Sequence, residues 1–182
     1  RFKHPQNPLH LIGRGVQIAD EHLPVRIGGD AALLQGFAKT ILSQGGADLD
    51  FISANTLGFE DWKKHIESTD WEKIVEQSGI SRDRIEKTGN AIAKSERMIV
   101  CWAMGLTQHE NSVAVIQEVS NLLLAGGHFG KPGAGACPVR GTPMSKEIGQ
   151  SELTITRLRI LSHPAKVRPG LICLGKRGTM SW

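Results

Sequence analysis

The segment from residue 98 to residue 141 constrains the fold more than any other part of the chain. It opens with an apolar run over residues 98–104, whose length and composition are typical of a buried parallel strand. Gly105 breaks this run, and a polar turn over residues 107–111 leads into a helix with an apolar face of period 3.6. A strand, a glycine turn and a helix in this order predict an α/β fold, with parallel strands covered by helices.

A glycine-rich loop follows this helix and ends on Arg140. It holds two prolines, Pro132 and Pro138, and the following six glycines: Gly126, Gly127, Gly130, Gly133, Gly135 and Gly141. Backbone amides at the start of a helix, beside glycines that allow close approach, are typical of sites that bind a phosphate or a polar ring. The segment therefore predicts a cofactor site in an α/β protein.

A second glycine turn precedes another helix near the beginning of the chain. Residues 19–27 predict a short strand, and residues 31–42 predict a helix, with Gly28, Gly29 and Asp30 between them. Asp30 is the expected N-cap of that helix, a role that needs no ligand. Ligands of open α/β sheets bind at the carboxyl ends of strands. If the two strands are neighbours, this turn and the turn over residues 104–108 open onto one crevice.

The cysteine count and the charge distribution limit the remaining classes of function. Cys101, Cys137 and Cys173 are widely spaced and form no CxxC pair, which argues against a disulfide scaffold or a zinc site and predicts a cytoplasmic protein. Cys101 is expected to be buried in a strand and Cys137 to be packed in a loop. Residues 142–182 carry a net charge of +5 and the whole chain carries +4, so residues 1–141 carry −1. Because the positive charge is confined to residues 142–182, we predict no nucleic-acid partner. No apolar run approaches the roughly 20 residues of a membrane span.

Three ordered motifs resemble the large subunit of molybdopterin oxidoreductases, the dimethyl sulfoxide reductase superfamily. They cover residues 18–33, residues 101–109 (CWAMGLTQH) and residues 130–141 (GKPGAGACPVRG). Within that superfamily, residues 1–141 look most like the cytosolic, formate dehydrogenase alpha-subunit-like branch. The resemblance implies that residues 1–141 are part of a Rossmann-like dinucleotide-binding domain. Residues 142–182 do not follow the family pattern, and a foreign or frameshifted tail is one hypothesis for them.

The resemblance also implies a cofactor and the residues that contact it. In such enzymes, two molybdopterin guanine dinucleotides hold molybdenum or tungsten, and the metal ligand and the 4Fe-4S cluster ligands belong to a region absent from this sequence. Gly28, Gly29 and Asp30 resemble the guanosine end of the site, where the Asp30 carboxylate accepts two N–H groups of guanine. The pterin and its phosphates would be contacted by the second turn, which comprises Met104, Gly105, Leu106, Thr107 and Gln108. Gln108 offers both a donor and an acceptor.

Arg140 resembles the arginine beside the metal in formate dehydrogenases, where a fixed guanidinium orients a small anion. Gly141 would let the same loop approach the cofactor. The intact enzyme is therefore expected to oxidise formate to carbon dioxide and to pass electrons to a partner, and this chain by itself is expected to be inactive. The alternative is a non-enzymatic nucleotide-binding or interaction module of Rossmann type.

Overall fold

The computed structural model describes residues 19–139 and the backbone of residues 158–159. This part of the chain forms seven α-helices of one to four turns and four short strands. In chain order they are α1 (Asp30–Ser43), α2 (Leu49–Asn55), β1 (Thr56–Leu57), α3 (Phe59–Ser68), α4 (Trp71–Ser78), α5 (Arg82–Ala93), β2 (Ile99–Trp102), α6 (Met104–Thr107), α7 (Ser112–Ala125), β3 (Gly135–Pro138) and β4 (Leu158–Arg159).

Helix α1 lies at the centre of the apolar core and packs against α3, α4, α5 and α7. Phe37 and Ile41, four residues apart on one face of α1, belong to the same buried cluster as Trp62 and Ile66 of α3. Trp62 and Ile66 are both fully buried. Burial of each such side chain stabilises the fold by roughly 1.5–3 kcal/mol. The predicted helix over residues 31–42 is thus present, with one more residue at each end.

The strands form two separate parallel pairs. β2 pairs with β3, with Ile99 opposite Gly135 and Trp102 opposite Pro138, and β1 pairs with β4. Because α7 connects β2 to β3, residues 99–138 form a βαβ unit. The prediction of parallel strands accompanied by helices is confirmed in this coarse form. The described strands pair only two at a time, so the wider Rossmann-like topology stays a prediction.

The predicted strand over residues 19–27 is wrong. Residues 21–26 are irregular and end in a turn at residues 27–28. The backbone N–H of Arg26 donates to the carbonyl of Ser78 (2.9 Å), and its guanidinium Nη1 donates to the carbonyl of Glu76 (2.8 Å). The segment therefore donates hydrogen bonds to the carbonyls at the end of α4 instead of pairing with a neighbouring strand. Pro24 also lacks the N–H that a residue in a β-sheet donates to its neighbour.

The β2–β3 pair is more exposed than the sequence predicts. Val100 and Trp102 on one face of β2 are half-buried, whereas Ile99 on the other face is 54% exposed. Cys101 shares the exposed face, so its predicted burial is wrong. Cys137 is also exposed and lies in β3, not in a packed loop. The described residues cover this sheet on one face only. In the same part of the chain, no helix is long and apolar enough to cross a membrane.

Candidate functional site

The second glycine turn lies at the carboxyl end of the β2–β3 pair. Since the two strands are parallel, Trp102 and Pro138 end them at the same edge. The N–H of Val139 donates to the carbonyl of Trp102 (2.7 Å), which fixes the chain leaving β3 beside the turn leaving β2. The start of α7 lies at this edge too, because a helix that joins parallel strands runs back from the end of the first to the beginning of the second.

The first glycine turn lies at the same end of the fold. The Gln35 side chain of α1 lies close enough to the Glu118 carboxyl of α7 to lower its pKa. The N–H of Asp48, just beyond α1, donates to the carbonyl of Ala125 at the end of α7 (2.9 Å). A residue in the first half of α1 thus lies beside one in the first half of α7, and the chain just beyond α1 lies beside the end of α7. The two helices therefore run in the same direction. The starts of both helices, and the turns that precede them, share one end. The predicted crevice needs a strand before Gly28, which is absent, so a crevice shared by the two turns stays a prediction.

Packing within the chain explains Gly28 and Gly29. The N–H of Gly29 donates to the carbonyl of Arg26 (2.8 Å), and Gly28 in the third position of this turn has φ +81°, the geometry of a type II turn. A Cβ on Gly29 would lie 2.4 Å from the carbonyl oxygen of Gln77. Gly28 is therefore required by its backbone conformation, and Gly29 by its close contact with α4.

The prediction that Asp30 is the N-cap of α1 is wrong. Gly29 occupies the cap, without a side-chain cap bond, and Asp30 is the first residue of the helix. A carboxylate in the first turn still faces the positive end of the helix dipole. Asp30 is partly buried, and its side chain makes no hydrogen bond or ion pair with another described residue. Its oxygens are consequently available to donors from outside the described residues.

The second turn begins as the single helical turn α6. The N–H of Gln108 donates to the carbonyl of Met104 (3.0 Å), and its Nε2 lies 3.6 Å from the Met104 Sδ. Met104, Thr107 and Gln108 are exposed, and Leu106 is partly buried. A Cβ on Gly105 would meet no atom within 4 Å, and its φ lies outside the left-handed region. Nothing in the described chain therefore requires glycine at this position.

Arg140 and Gly141 lie outside the described residues, so their predicted roles stay predictions. Val139, the last residue described before them, is 52% exposed at the carboxyl edge. Within the described ranges, no group of three or more His, Cys, Asp or Glu side chains is placed to hold a metal ion.

The family model for molybdopterin oxidoreductases, described as "Molybdopterin oxidoreductase", matches residues 3–171. The chain belongs to the molybdopterin oxidoreductase family. Its family resemblance, inferred from the three motifs, is thereby confirmed. The match continues past Gly141 into the segment over residues 142–182, and the division of the chain at that point stays a prediction.

Three relatives show the breadth of this family. The chain is 39% identical over 152 residues to Protein YdeP of Escherichia coli strain K12, covering 78% of this chain and 20% of YdeP. It is 31% identical over 125 residues to formate dehydrogenase H of the same strain, covering 69% of this chain and 18% of that protein. The solved structure of acetylene hydratase from Pelobacter acetylenicus matches with a TM-score of 0.60 and 28% identity, over 64% of this chain and 16% of that one. The molybdopterin oxidoreductase chain spans about a fifth of the length of the curated relatives it matches.

Sequence reasoning did not single out one buried acid of this molybdopterin oxidoreductase chain, Glu118. It is 2% exposed, and its Oε2 accepts a hydrogen bond from the Trp62 Nε1 (3.1 Å). Burial raises its pKa, against the opposing hydrogen bonds from Trp62, Asn121 and Gln35. The signal was available, because Glu118 falls on the apolar stripe of α7 between Val115 and Leu122.

Proposed function

We propose that this chain forms part of the site where a molybdopterin oxidoreductase holds a guanine-tipped pterin cofactor, the bis-molybdopterin guanine dinucleotide of molybdenum or tungsten. We further propose that the intact, cytoplasmic enzyme oxidises formate to carbon dioxide. The observation that supports the cofactor proposal is the common direction of α1 and α7. Gly28–Asp30 begin one helix, and Met104–Gln108 and the chain that leaves β3 lie beside the start of the other, at the same end of the helix pair.

The donors and acceptors at this end suit the guanine part of the cofactor. A guanine edge presents a ring N–H and an amino group side by side, and a carboxylate can accept from both. Asp30 supplies such a carboxylate, and no described residue uses it. Adenine presents an acceptor where guanine has its ring N–H, so an anionic acceptor at this position selects guanine.

The second turn suits the pterin and its phosphates. Gln108 can donate and accept at the polar edge of a pterin ring, and the open space around Gly105 allows close approach of a flat ring system. Helix α7 has no side-chain cap at Asn111. The N–H of Ser112 donates to the carbonyl of His109 (3.1 Å), and the amides of the next residues in the first turn are available to a phosphate. Backbone amides together with the positive end of the helix dipole stabilise such an anion.

Arg140 is the proposed contact for the substrate. A guanidinium holds a carboxylate by two parallel hydrogen bonds and fixes its orientation, which a lysine cannot do. When bound, the metal and its pterins supply the two-electron chemistry, and the protein supplies binding and electrostatics. Formate is favoured by the likeness to formate dehydrogenase H. A 4Fe-4S cluster and an electron-accepting partner are proposed for the intact enzyme.

Analysis of the full-length protein tests the two parts separately. We expect molybdenum or tungsten by elemental analysis, GMP after acid hydrolysis, and formate-dependent reduction of a viologen dye. Arg140→Lys should lower kcat/KM for formate about a hundredfold without lowering the metal content, and Arg82→Lys on the exposed face of α5 should change neither.

Each part of the proposal has its own contradicting outcome. A protein that binds a guanine nucleotide but contains no pterin or metal would instead be the non-enzymatic module. A protein that is loaded with the cofactor but is inactive on formate would keep the cofactor proposal and exclude the substrate.

A further inference from the structure

Two cysteines that are 36 positions apart in the sequence lie side by side in the β2–β3 pair. Cys101 is directly opposite Cys137 in the parallel register. Neighbouring strands are about 4.8 Å apart, and disulfides join residues whose Cα atoms are roughly 4.4–6.8 Å apart. Residues opposite each other in a sheet present their side chains on the same face. The two thiols therefore need only a small adjustment of the strands to be joined.

The surroundings of the two thiols leave them open to reaction. Both are free and exposed in the part of the chain that the structure describes. The hydrogen bond with Cys137 raises the pKa of the Cys101 thiol, and partial desolvation adds to the rise. A raised pKa disfavours the thiolate of Cys101, which is the form that attacks a disulfide. The first attack is accordingly assigned to Cys137.

We propose that Cys101 and Cys137 are a dithiol modification site that low-molecular-weight disulfides convert reversibly into an intramolecular disulfide between β2 and β3. In the first step the Cys137 thiolate attacks one sulfur of R–S–S–R, which forms a mixed disulfide and releases one R–S⁻. In the second step Cys101 loses its proton and attacks the sulfur of Cys137, which releases the second R–S⁻. Two protein thiols are oxidised and one small disulfide is reduced to two thiols, so atoms and electrons balance.

The position of the pair gives the bridge a structural consequence. Cys101 precedes Met104 by three residues, and Cys137 precedes Arg140 by three. A covalent bond at this register would hold β2 and β3 together just before both strands end at the candidate site. The chemistry itself depends only on the paired thiols, so it does not rest on the proposed function.

Thiol mapping on the full-length protein tests the proposal. The protein is equilibrated with mixtures of oxidised and reduced glutathione, blocked with N-ethylmaleimide, digested without reductant and examined by mass spectrometry. We expect a peptide pair bridged through Cys101 and Cys137, which increases with the oxidised fraction and disappears with dithiothreitol. Cys101→Ser should instead leave Cys137 as a mixed disulfide with glutathione, and Cys173→Ser should leave the bridge unchanged.

Two outcomes would overturn the proposal. One is complete alkylation of both thiols at every glutathione ratio, which shows that the pair is not oxidised. The other is a bridge that involves Cys173 and is lost in Cys173→Ser. The measurement on the unmodified protein needs no variant, so a folding defect in Cys101→Ser does not obscure it, and Cys137→Ser provides a second single-thiol control.

Discussion

The core around α1 and the carboxyl end of the β2–β3 pair differ in how far their side chains are buried by the described chain. In the core, the fully buried Trp62 and Ile66 have their packing partners within the chain. At the carboxyl end, Met104 is 56% exposed and Val113 is 66% exposed, and a Cβ on Gly105 would touch nothing within 4 Å. The residue types of the core are thus explained by the described chain. Those of the carboxyl end are not explained by contacts within the described chain, and we propose the cofactor as their partner.

The same contrast separates the two kinds of glycine. Gly29 is buried against the backbone of α4, whereas Gly105 is exposed with open space around it. A pattern of glycines in a sequence does not distinguish these cases, because glycine allows close approach either of the chain itself or of a ligand. The predictions that follow use this difference between the two regions.

The largest effect is expected for a truncation in the core. Trp62→Ala removes a fully buried ring and leaves the Glu118 carboxyl without its indole donor, so the free energy of unfolding should fall by about 3–5 kcal/mol. Met104→Ala at the carboxyl end should lower it by no more than about 0.5 kcal/mol. Urea unfolding of the chain measures both. Equal losses for the two variants would remove the distinction between the regions.

A smaller effect is expected when the two glycines are compared. Gly29→Ala places a methyl group against the backbone of Gln77 and Ser78, so it should lower the free energy of unfolding by about 1–3 kcal/mol. Gly105→Ala should leave that free energy nearly unchanged but reduce the pterin content of the full-length protein. If Gly105→Ala retains all of its pterin, close approach of the cofactor at this turn is excluded.

The smallest effect is expected from the buried acid, and it depends on pH. Burial raises the pKa of Glu118 in the folded protein above its ordinary value of 4.5. The folded state then holds the proton more tightly than the unfolded state, so the contribution of Glu118 to stability falls as pH rises through 4.5 toward the folded pKa. Glu118→Gln has no group that ionises at this position, so it does not lose stability in this way. Its free energy of unfolding should therefore rise relative to that of the parent as pH increases. Chemical denaturation at pH 4 and pH 8 measures the difference, and a gap that does not change with pH would contradict a raised pKa of Glu118 in the folded protein.

Local patterns predicted α1, α7 and β2, because these elements follow from the length and periodicity of apolar runs. The helix expected over residues 31–42 is found at Asp30–Ser43, and the apolar run over residues 98–104 contains β2. The segment over residues 19–27 does alternate between partly buried and exposed residues, from Glu21 to Arg26. That pattern predicts an extended chain but not its partner, and the partner here is the end of a helix.

The candidate site was predicted by a different route. Its residue roles came from the family resemblance, since no local pattern assigns a guanine contact to Asp30. That the two turns precede helices of the same direction is a tertiary property, which depends on the packing of α1 against α7. The pairing of Cys101 with Cys137 also depends on strand register, so a sequence separation of 36 residues gave no sign of it.

The most direct test of the account is the guanine nucleotide content of full-length Asp30→Asn. Asparagine keeps one acceptor but turns an N–H₂ donor toward the donors of guanine, so the bound nucleotide released as GMP should fall about tenfold or more. Asp83→Asn is the matched control, because Asp83 is also an acidic residue in the first turn of a helix. The account predicts loss of GMP in Asp30→Asn and full retention in Asp83→Asn. Equal retention in both variants would contradict a guanine contact at Asp30.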